Sequence, residues 1–568
     1  MRVRVLAAML LLCGVGSAQV VMEQQMQVSR AGQGNEPAKP KPTPEQLQRG
    51  RQMLETAEAS ANGMEGGMRA YALLQVAAGY ASTDKKKALE LLDNALAATK
   101  GMEDDPSQVR NRLQEQILQA IVPLKPGKAD ELLNQVDPSA RGRVLTSLLS
   151  YYQKNNDWDR AIEVVYRIAP EQEVPYDAVT KIMAGLPEER AGDRQQLFST
   201  ALTSFKNHPP AQGGGRSFRV GGGDFSSLIL TSWKKLPRET VLDAIHAVLD
   251  QTKQQVKDSS GGAQPMAISM ASASGGVQFG SMYEFRLFQL LPVLKQLDSS
   301  EAEKLVKESQ AVQGMLDKYP DGVNSIAPQM AGGGAGGREG APGGPPPGAG
   351  SSMSMSVGGP PAGSRGGGPG GTSPMVMQQV MKIVQDSAKH PEDALANAAV
   401  IPDKSSRVQA YMGIAQVNAK SNPSVTREAL AKVTDALGDI ELMQQVSTVS
   451  SVAKMYLDLD DSATAKKLIE KGMGIAEKAY KQDTNADDPN KALKAYWPSA
   501  EAYRGMLRLA AKISAPWAME LLKDISDPEM KGMGQIALAQ SWLDLPAGQR
   551  TIMSSNKDGN SMQMSRDE

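Results

Sequence analysis

Apolar residues recur at three- and four-residue steps along most of this chain. The clearest window is RGRVLTSLLSYYQKNNDWDRAIEVVYRIAP, residues 141–170. Val144, Leu145, Leu148, Leu149 and Tyr152 form one apolar stripe at helical period. Residues 155–159 interrupt it, and Ala161, Ile162, Val165 and Ile168 begin a second stripe. Two amphipathic helices separated by so short a break fold back as an antiparallel pair.

Windows 68–96 and 449–480 repeat the arrangement. Tyr152 stands nine residues before Ala161 and Tyr456 nine before Ala465, whereas Tyr80 stands eight before Ala88. A bulky residue closes the first helix, and a small one lets the second approach it. The pattern resembles tetratricopeptide repeats, which carry a tyrosine late in helix A and an alanine in helix B. The family's turn glycine is missing: Asn155 or Asn156, and Leu459 or Asp460, occupy its place. The spacing between units also drifts. The chain is therefore identified as a degenerate member of the TPR-like or HEAT-like helical-repeat class, matching over about three hairpins.

A second echo joins VDPSARGRVLTSLL, IPDKSSRVQAYMGIA and ISDPEMKGMGQIALA. Aligned on Asp137, Asp403 and Asp527, each has a basic residue four positions on (Arg141, Arg407, Lys531) and an aliphatic one eleven on (Leu148, Ile414, Leu538). An aspartate there caps a helix start, with the basic side chain over the first turn. The segments around Pro126, Pro187 and Pro237 read as corners, because proline suits a first helical turn and breaks an interior one.

These patterns predict an all-α fold, antiparallel helical hairpins stacked as an α-solenoid in two arrays. The expected organisation is a signal peptide at 1–18, a disordered spacer at 19–44 and an N-terminal array at 45–320 with loops at 209–224 and 259–280. Beyond it come a disordered Gly/Pro/Ser/Met-rich linker at 321–373, a C-terminal array at 374–550 and a disordered tail at 551–568. The signal reading rests on Arg2 and Arg4, the apolar run 5–15, and Gly16, Ser17 and Ala18 before the cut. That run is too short to span a bilayer, which takes about 20 residues.

Composition narrows the chemistry. The only cysteine, Cys13, lies inside the signal, and Leu12 before it departs from the small residue of a lipoprotein signal. Cleavage after Ala18 leaves neither disulfide nor thiol. With 62 basic and 63 acidic residues there is no basic excess for nucleic acid.

Candidate motifs dissolve one by one. Gly332, Gly334 and Gly337 satisfy a G-x-G-x-x-G pattern inside 331–370, where 17 glycines and 7 prolines make such a match inevitable and no strand precedes it. Gly127 and Lys128 lack the upstream glycine and the hydroxyl residue of a P-loop. His208, His246 and His390 are the only histidines, too few and too scattered for a zinc site or a catalytic triad. Asp458, Asp460 and Asp461 suggest a calcium loop, but Ala463 and Ile469 stand where glycine and glutamate are required. The 30 methionines suit adaptable packing better than copper, with Met183 and Met455 at core positions. Glu308 and Ser309 are similar to the Glu-Ser pair of soluble lytic transglycosylases, whose other motifs are absent.

The sequence thus assigns no catalytic, cofactor-binding or metal-ligating residues, and expects no cofactor. The function expected is a non-enzymatic protein–protein interaction or scaffold role, in the periplasm or outside a bacterial cell. Its partner is a protein or peptide, not nucleic acid, and there is no stable membrane span. The alternatives are an envelope-polymer processing enzyme or a structural cell-surface array.

Overall fold

The computed structural model describes residues 42–102, 109–208, 224–259, 268–270, 277–319, 355–357, 374–485, 493–545, 552–555 and 561–564. These form 23 α-helices, and the fold is all-α. Residues 1–18, read above as a signal peptide, most of residues 19–44, read as a spacer, and Gly332, Gly334 and Gly337 lie outside them. Among the described residues, no helix is long and apolar enough to cross a membrane.

The helices fall into two compact units. The first begins with α1 (Pro44–Asn62), α2 (Gly66–Tyr80), α3 (Lys85–Thr99) and α4 (Val109–Ile121). The second comprises α5 (Pro126–Leu132), α6 (Pro138–Lys154), α7 (Trp158–Ile168), α8 (Tyr176–Gly185), α9 (Ala191–Asn207), α10 (Phe225–Ser232), α11 (Arg238–Ser259), α12 (Met282–Leu297), α13 (Ser299–Glu308) and α14 (Gln310–Lys318). The chain then returns to the first unit with α15 (Pro374–Asp386), α16 (Pro391–Ala399), α17 (Lys404–Asn418), α18 (Pro423–Ala436), α19 (Leu442–Asp458), α20 (Ser462–Asn485), α21 (Pro498–Ile513), α22 (Ala515–Lys523) and α23 (Pro528–Trp542).

Local hairpins are set by their turns. In α6–α7 the Asp157 N–H donates to the Tyr152 carbonyl at 2.9 Å, and in α19–α20 the Asp461 N–H donates to the Tyr456 carbonyl at 2.9 Å. The residue before each aspartate is left-handed, Asn156 at φ 56° and Asp460 at φ 59°. Asparagine and aspartate enter that region more readily than most side chains, which is how the turn forms without the repeat family's glycine. Asp157 and Asp461 then cap the next helix, accepting from Arg160 N at 3.4 Å and Thr464 N at 3.0 Å. In α2–α3 the closure is one residue shorter, Asp84 N–H to Tyr80 carbonyl at 2.7 Å, which accounts for the eight-residue spacing there. Tyr152 and Tyr456 are buried, as are Ala88, Ala161 and Ala465.

The Asp-plus-basic echo marks helix starts. Asp403 accepts from Ser406 N at 2.7 Å and Asp527 from Met530 N at 2.9 Å. The basic side chain does not lie over the first turn as expected. Arg407 Nε reaches back to the Ile401 carbonyl at 2.9 Å, and Arg141 Nε to the Val136 carbonyl at 3.4 Å. Gln445 does the same to Ile440 at 2.8 Å without any charge. Each satisfies a carbonyl stranded at a buried corner residue, a group that costs free energy if left unpaired.

The packing does not divide the chain at the glycine-rich stretch. The expected arrays 45–320 and 374–550 are replaced by a discontinuous first unit, because α1 lies on α23 as closely as partners in a local hairpin do. Their register is antiparallel. Gly50 meets Leu543, Ser60 Oγ donates to Gln535 Oε1 at 2.6 Å, and Gly532 lies against Met64 and Ser60. A Cβ on Gly50 would fall 2.7 Å from Leu543 Cγ, so glycine permits the close approach. The reason lies at the end of α23. The Leu545 N–H donates to the Gln540 carbonyl at 2.9 Å with Asp544 at φ 51°, the turn that elsewhere leads into a second helix. At this corner the helix beside α23 is α1, from the other end of the chain.

The described strands are short. In the second unit β1 (Ile268–Met270) pairs antiparallel with β2 (Val277–Phe279) and with β3 (Met355–Val357), placing Ile268 opposite Phe279 and Val357. β4 (Ile552–Ser555) pairs with β5 (Ser561–Met564). Residues 355–357 and the two tail strands were expected to be disordered. Alternating apolar and polar residues, as in MSMSV and SMQM, carry the period of a strand and explain the ladders.

Candidate functional site

The joint between the two ends of the chain is where polar side chains gather in the first unit. On α2, Tyr71 and Gln75 are one turn apart and share a face; on α21, Arg504 and Arg508 do the same. Arg504 Nη1 donates to Tyr71 Oη at 2.6 Å, and Arg504 Nη2 to the Ala495 carbonyl at 3.0 Å. One turn along, Arg508 Nη1 donates to Gln540 Oε1 at 3.3 Å, Arg508 Nη2 to the Leu545 carbonyl at 2.7 Å, and Gln540 Nε2 to Gln75 Oε1 at 3.1 Å. Two rungs of hydrogen bonds thus tie α2 to the C-terminal helices.

A single 3-10 turn, Lys494–Tyr496, sets Tyr496 beside the first rung. The Tyr71 and Tyr496 rings meet edge to face with centroids 5.4 Å apart, and the Arg504 guanidinium carbon lies 5.8 Å from the Tyr71 centroid. Burial and the neighbouring Tyr71 push the Tyr496 phenol above its ordinary range, while Arg112 and Arg504 pull it back. The Tyr496 hydroxyl is buried and has no hydrogen-bond partner.

A second cluster surrounds the start of α23. Tyr480 Oη donates to Asp527 Oδ2 at 2.5 Å, and Lys494 Nζ lies 3.2 Å from Asp527 and 2.6 Å from Glu529. Burial opposes ionisation of Asp527, but hydrogen bonds from Tyr480, the Met530 N–H and Lys494 outweigh it and hold the carboxyl below its usual range. Burial and the bond to Asp527 push the Tyr480 phenol up to about 12. A fully partnered carboxylate and a phenol so hard to ionise suit a helix cap rather than proton transfer near neutral pH.

In the second unit a shallow groove of about 430 Å³ runs between α9 and α11. Ser199, Thr203 and Lys206 face Glu239 and Asp243 across it, and Lys206 Nζ bridges to Asp243 at 2.9 Å.

The motifs weighed in the sequence are not brought together. His208 Nδ1 lies 2.9 Å from the Ser204 carbonyl at the end of α9; His246 Nε2 lies 2.8 Å from Glu301 Oε1; His390 precedes α16 without capping it. Among the described residues no three histidines, cysteines or carboxylates could share a metal ion. Asp461 commits its carboxylate to the Thr464 N–H, and Asp460 forms the turn. Glu308 is exposed at the end of α13, Gly127 and Lys128 lie in α5, and Met183 is buried whereas Met455 is half-buried. The joint at Tyr71, Tyr496 and Arg504 was missed. Its signal is faint: an unusual pair of arginines, Arg504 and Arg508, one turn apart beside an apolar stripe.

In comparison with known proteins, no family matches the sequence and no curated protein does. Two solved structures are similar over most of the chain. Ton1535 from Thermococcus onnurineus NA1 is 11% identical, covering 87% of this chain and 99% of its own, with a TM-score of 0.17. A circular tandem repeat protein with novel repeat topology and enhanced subunit contact surfaces is 9% identical, covering 88% and 96%, with a TM-score of 0.14. At such scores neither likeness bears on this chain, whose fold rests on the helix packing described above.

Proposed function

We propose that this protein is an exported, non-enzymatic interaction or scaffold protein, and that its antiparallel helices form helical-repeat surfaces of the solenoid kind. The observation that carries the reading is the apolar surface on the helices that open the C-terminal part of the first unit. Met375 on α15, Val400 after α16 and Val417 on α17 are 79%, 71% and 42% exposed. Isolated exposed apolar residues are ordinary; three on or just after successive helices support contact with a protein partner. Export rests on the N-terminal signal pattern, and a bacterial periplasm or cell exterior is the location proposed.

The test is cross-linking mass spectrometry on the mature protein captured from envelope extract, alongside a turnover assay on peptidoglycan. Cross-links from one enriched protein that converge on α15–α17, lost in a Val400→Glu/Val417→Glu variant that still folds, support the reading. Peptidoglycan cleavage abolished by Glu308→Gln would replace it with an enzyme.

A further inference from the structure

The hydrogen bonds at the joint leave two donors over. Tyr71 accepts from Arg504, and no described residue accepts the Tyr71 hydroxyl proton. The Tyr496 hydroxyl is buried with neither donor nor acceptor beside it. A buried hydroxyl left unpaired is costly, and in native structures such a group nearly always pairs with protein, an ordered water or a bound ion.

The surroundings specify the sign of that group. The charged residues acting on the Tyr496 phenol are Arg112 and Arg504, both cationic, and no carboxylate is among them. Arg504 is held in place by the Ala495 carbonyl as well as by Tyr71, so its charge is fixed over the site. Two O–H donors in an arginine field call for an acceptor that carries negative charge. Arg112, Tyr496 and Arg504 are half-buried, and the Tyr496 hydroxyl itself is closed to solvent, so the site is a buried one.

We propose that Tyr71, Tyr496 and Arg504, with Arg112 adding charge, bind an oxyanion, the carboxylate or phosphate of a small molecule, at the joint between α2, α4 and α21. The two phenols donate to its oxygens, and the guanidiniums supply attraction rather than a proton. No bond is made or broken. The site is independent of the protein-binding reading above, since none of its residues lies on α15–α17.

Titration calorimetry and thermal unfolding of the full chain test it, with succinate and inorganic phosphate each compared with sodium chloride at equal ionic strength. The expected result is saturable one-to-one binding of at least one anion and a higher melting temperature in its presence. Succinate binding alone assigns a carboxylate, phosphate binding alone a phosphoryl group, and binding of both an oxyanion without preference. Tyr496→Phe, which keeps the ring and leaves the Arg504–Tyr71 bond intact, should weaken binding at least tenfold and melt no lower than the parent in chloride. Arg504→Gln, should that variant misfold, should weaken it by a similar factor. No saturable binding of either anion, or binding unchanged in a folded Phe variant, overturns the proposal.

Discussion

The hairpin α19–α20 and the pair α23–α1 are built on the same turn and differ in where the second helix comes from. After Tyr456 the chain turns at Asp460, caps with Asp461 and continues as α20. After Gln540 it makes the same five-residue closure at Asp544, but the helix that packs beside α23 begins at Pro44. Antiparallel packing is common to both; the chain between the partners is a handful of residues in one and nearly the whole protein in the other. For a free chain, closing ~480 rather than ~5 residues costs about 4 kcal/mol more. The intervening helices reduce that figure by packing first. The comparison teaches that a hairpin needs complementary stripes more than it needs a connection.

The largest effect should come from replacing the missing connection. A Cβ at position 532 would stand 3.4 Å from Ser60 Cβ, close to the spacing of bridged cysteines. Ser60→Cys/Gly532→Cys is therefore expected to form an intramolecular disulfide once the flexible Met64 end moves aside. Closing so long a loop should stabilise the first unit by roughly 4–5 kcal/mol. Denaturant unfolding with and without reductant measures the gain, and peptide mapping shows the bond. A monomer in which both thiols stay free under oxidant contradicts the α1–α23 register.

Next in size is the loss of one core side chain on each side of the comparison. Leu54 on α1 and Leu148 on α6 are 1% and 0% exposed. Each Leu→Ala change should cost about 3 kcal/mol. The outcome that matters is where the loss appears in amide exchange. Leu54→Ala should deprotect residues 528–542 together with 44–80, because the two segments stabilise one another. If the effect stops at residue 80, the composite pair is not a cooperative element. Leu148→Ala should leave both segments protected.

The same contrast separates what could be read in the sequence from what could not. Tyr152, Ala161, Asp157 and their counterparts lie within ten residues of each other, so local period and turn chemistry expose them. The stripe on α1, with Met53, Leu54, Ala57 and Ala61 buried, is equally plain, but nothing within it names α23 as its partner. The division of the chain followed composition, and the glycine-rich stretch drew the boundary away from the packing. The strands failed for another reason: three alternating residues in a methionine- and serine-rich run are too short a pattern to outweigh composition. The polar joint was hidden because Tyr71 and Arg504 are 433 residues apart in the chain.

A smaller effect tests the cap that only the continuous hairpin has. Asp461→Ala should cost about 1 kcal/mol. Bonds from the Thr464 backbone and side chain hold the Asp461 carboxyl below its usual range. Its contribution is therefore complete above the unfolded-state value near 4 and declines as pH falls through the lower folded value. Urea midpoints of parent and variant should differ at pH 6 and converge near pH 2. A difference that persists unchanged at pH 2 would mean that the carboxylate is not the cap. Leu545, which holds the matching place after α23, has no such acceptor to lose.

The smallest expected effect asks whether the two turns are equivalent. Asp460 at φ 59° and Asp544 at φ 51° each hold a non-glycine residue in the left-handed region. Glycine removes that strain but adds freedom to the unfolded chain, and the two terms oppose each other at under 1 kcal/mol. Asp460→Gly and Asp544→Gly should each raise stability by about 0.5 kcal/mol or less, and by the same amount. Both changes act on the backbone of one residue and on its own strain, so the identity of the next helix does not enter. Chemical denaturation of the two single variants decides it. If Asp460→Gly stabilises and Asp544→Gly does not, then the turn beside α1 relaxes differently from the one that opens α20, and the resemblance between the two turns ends at their hydrogen bond.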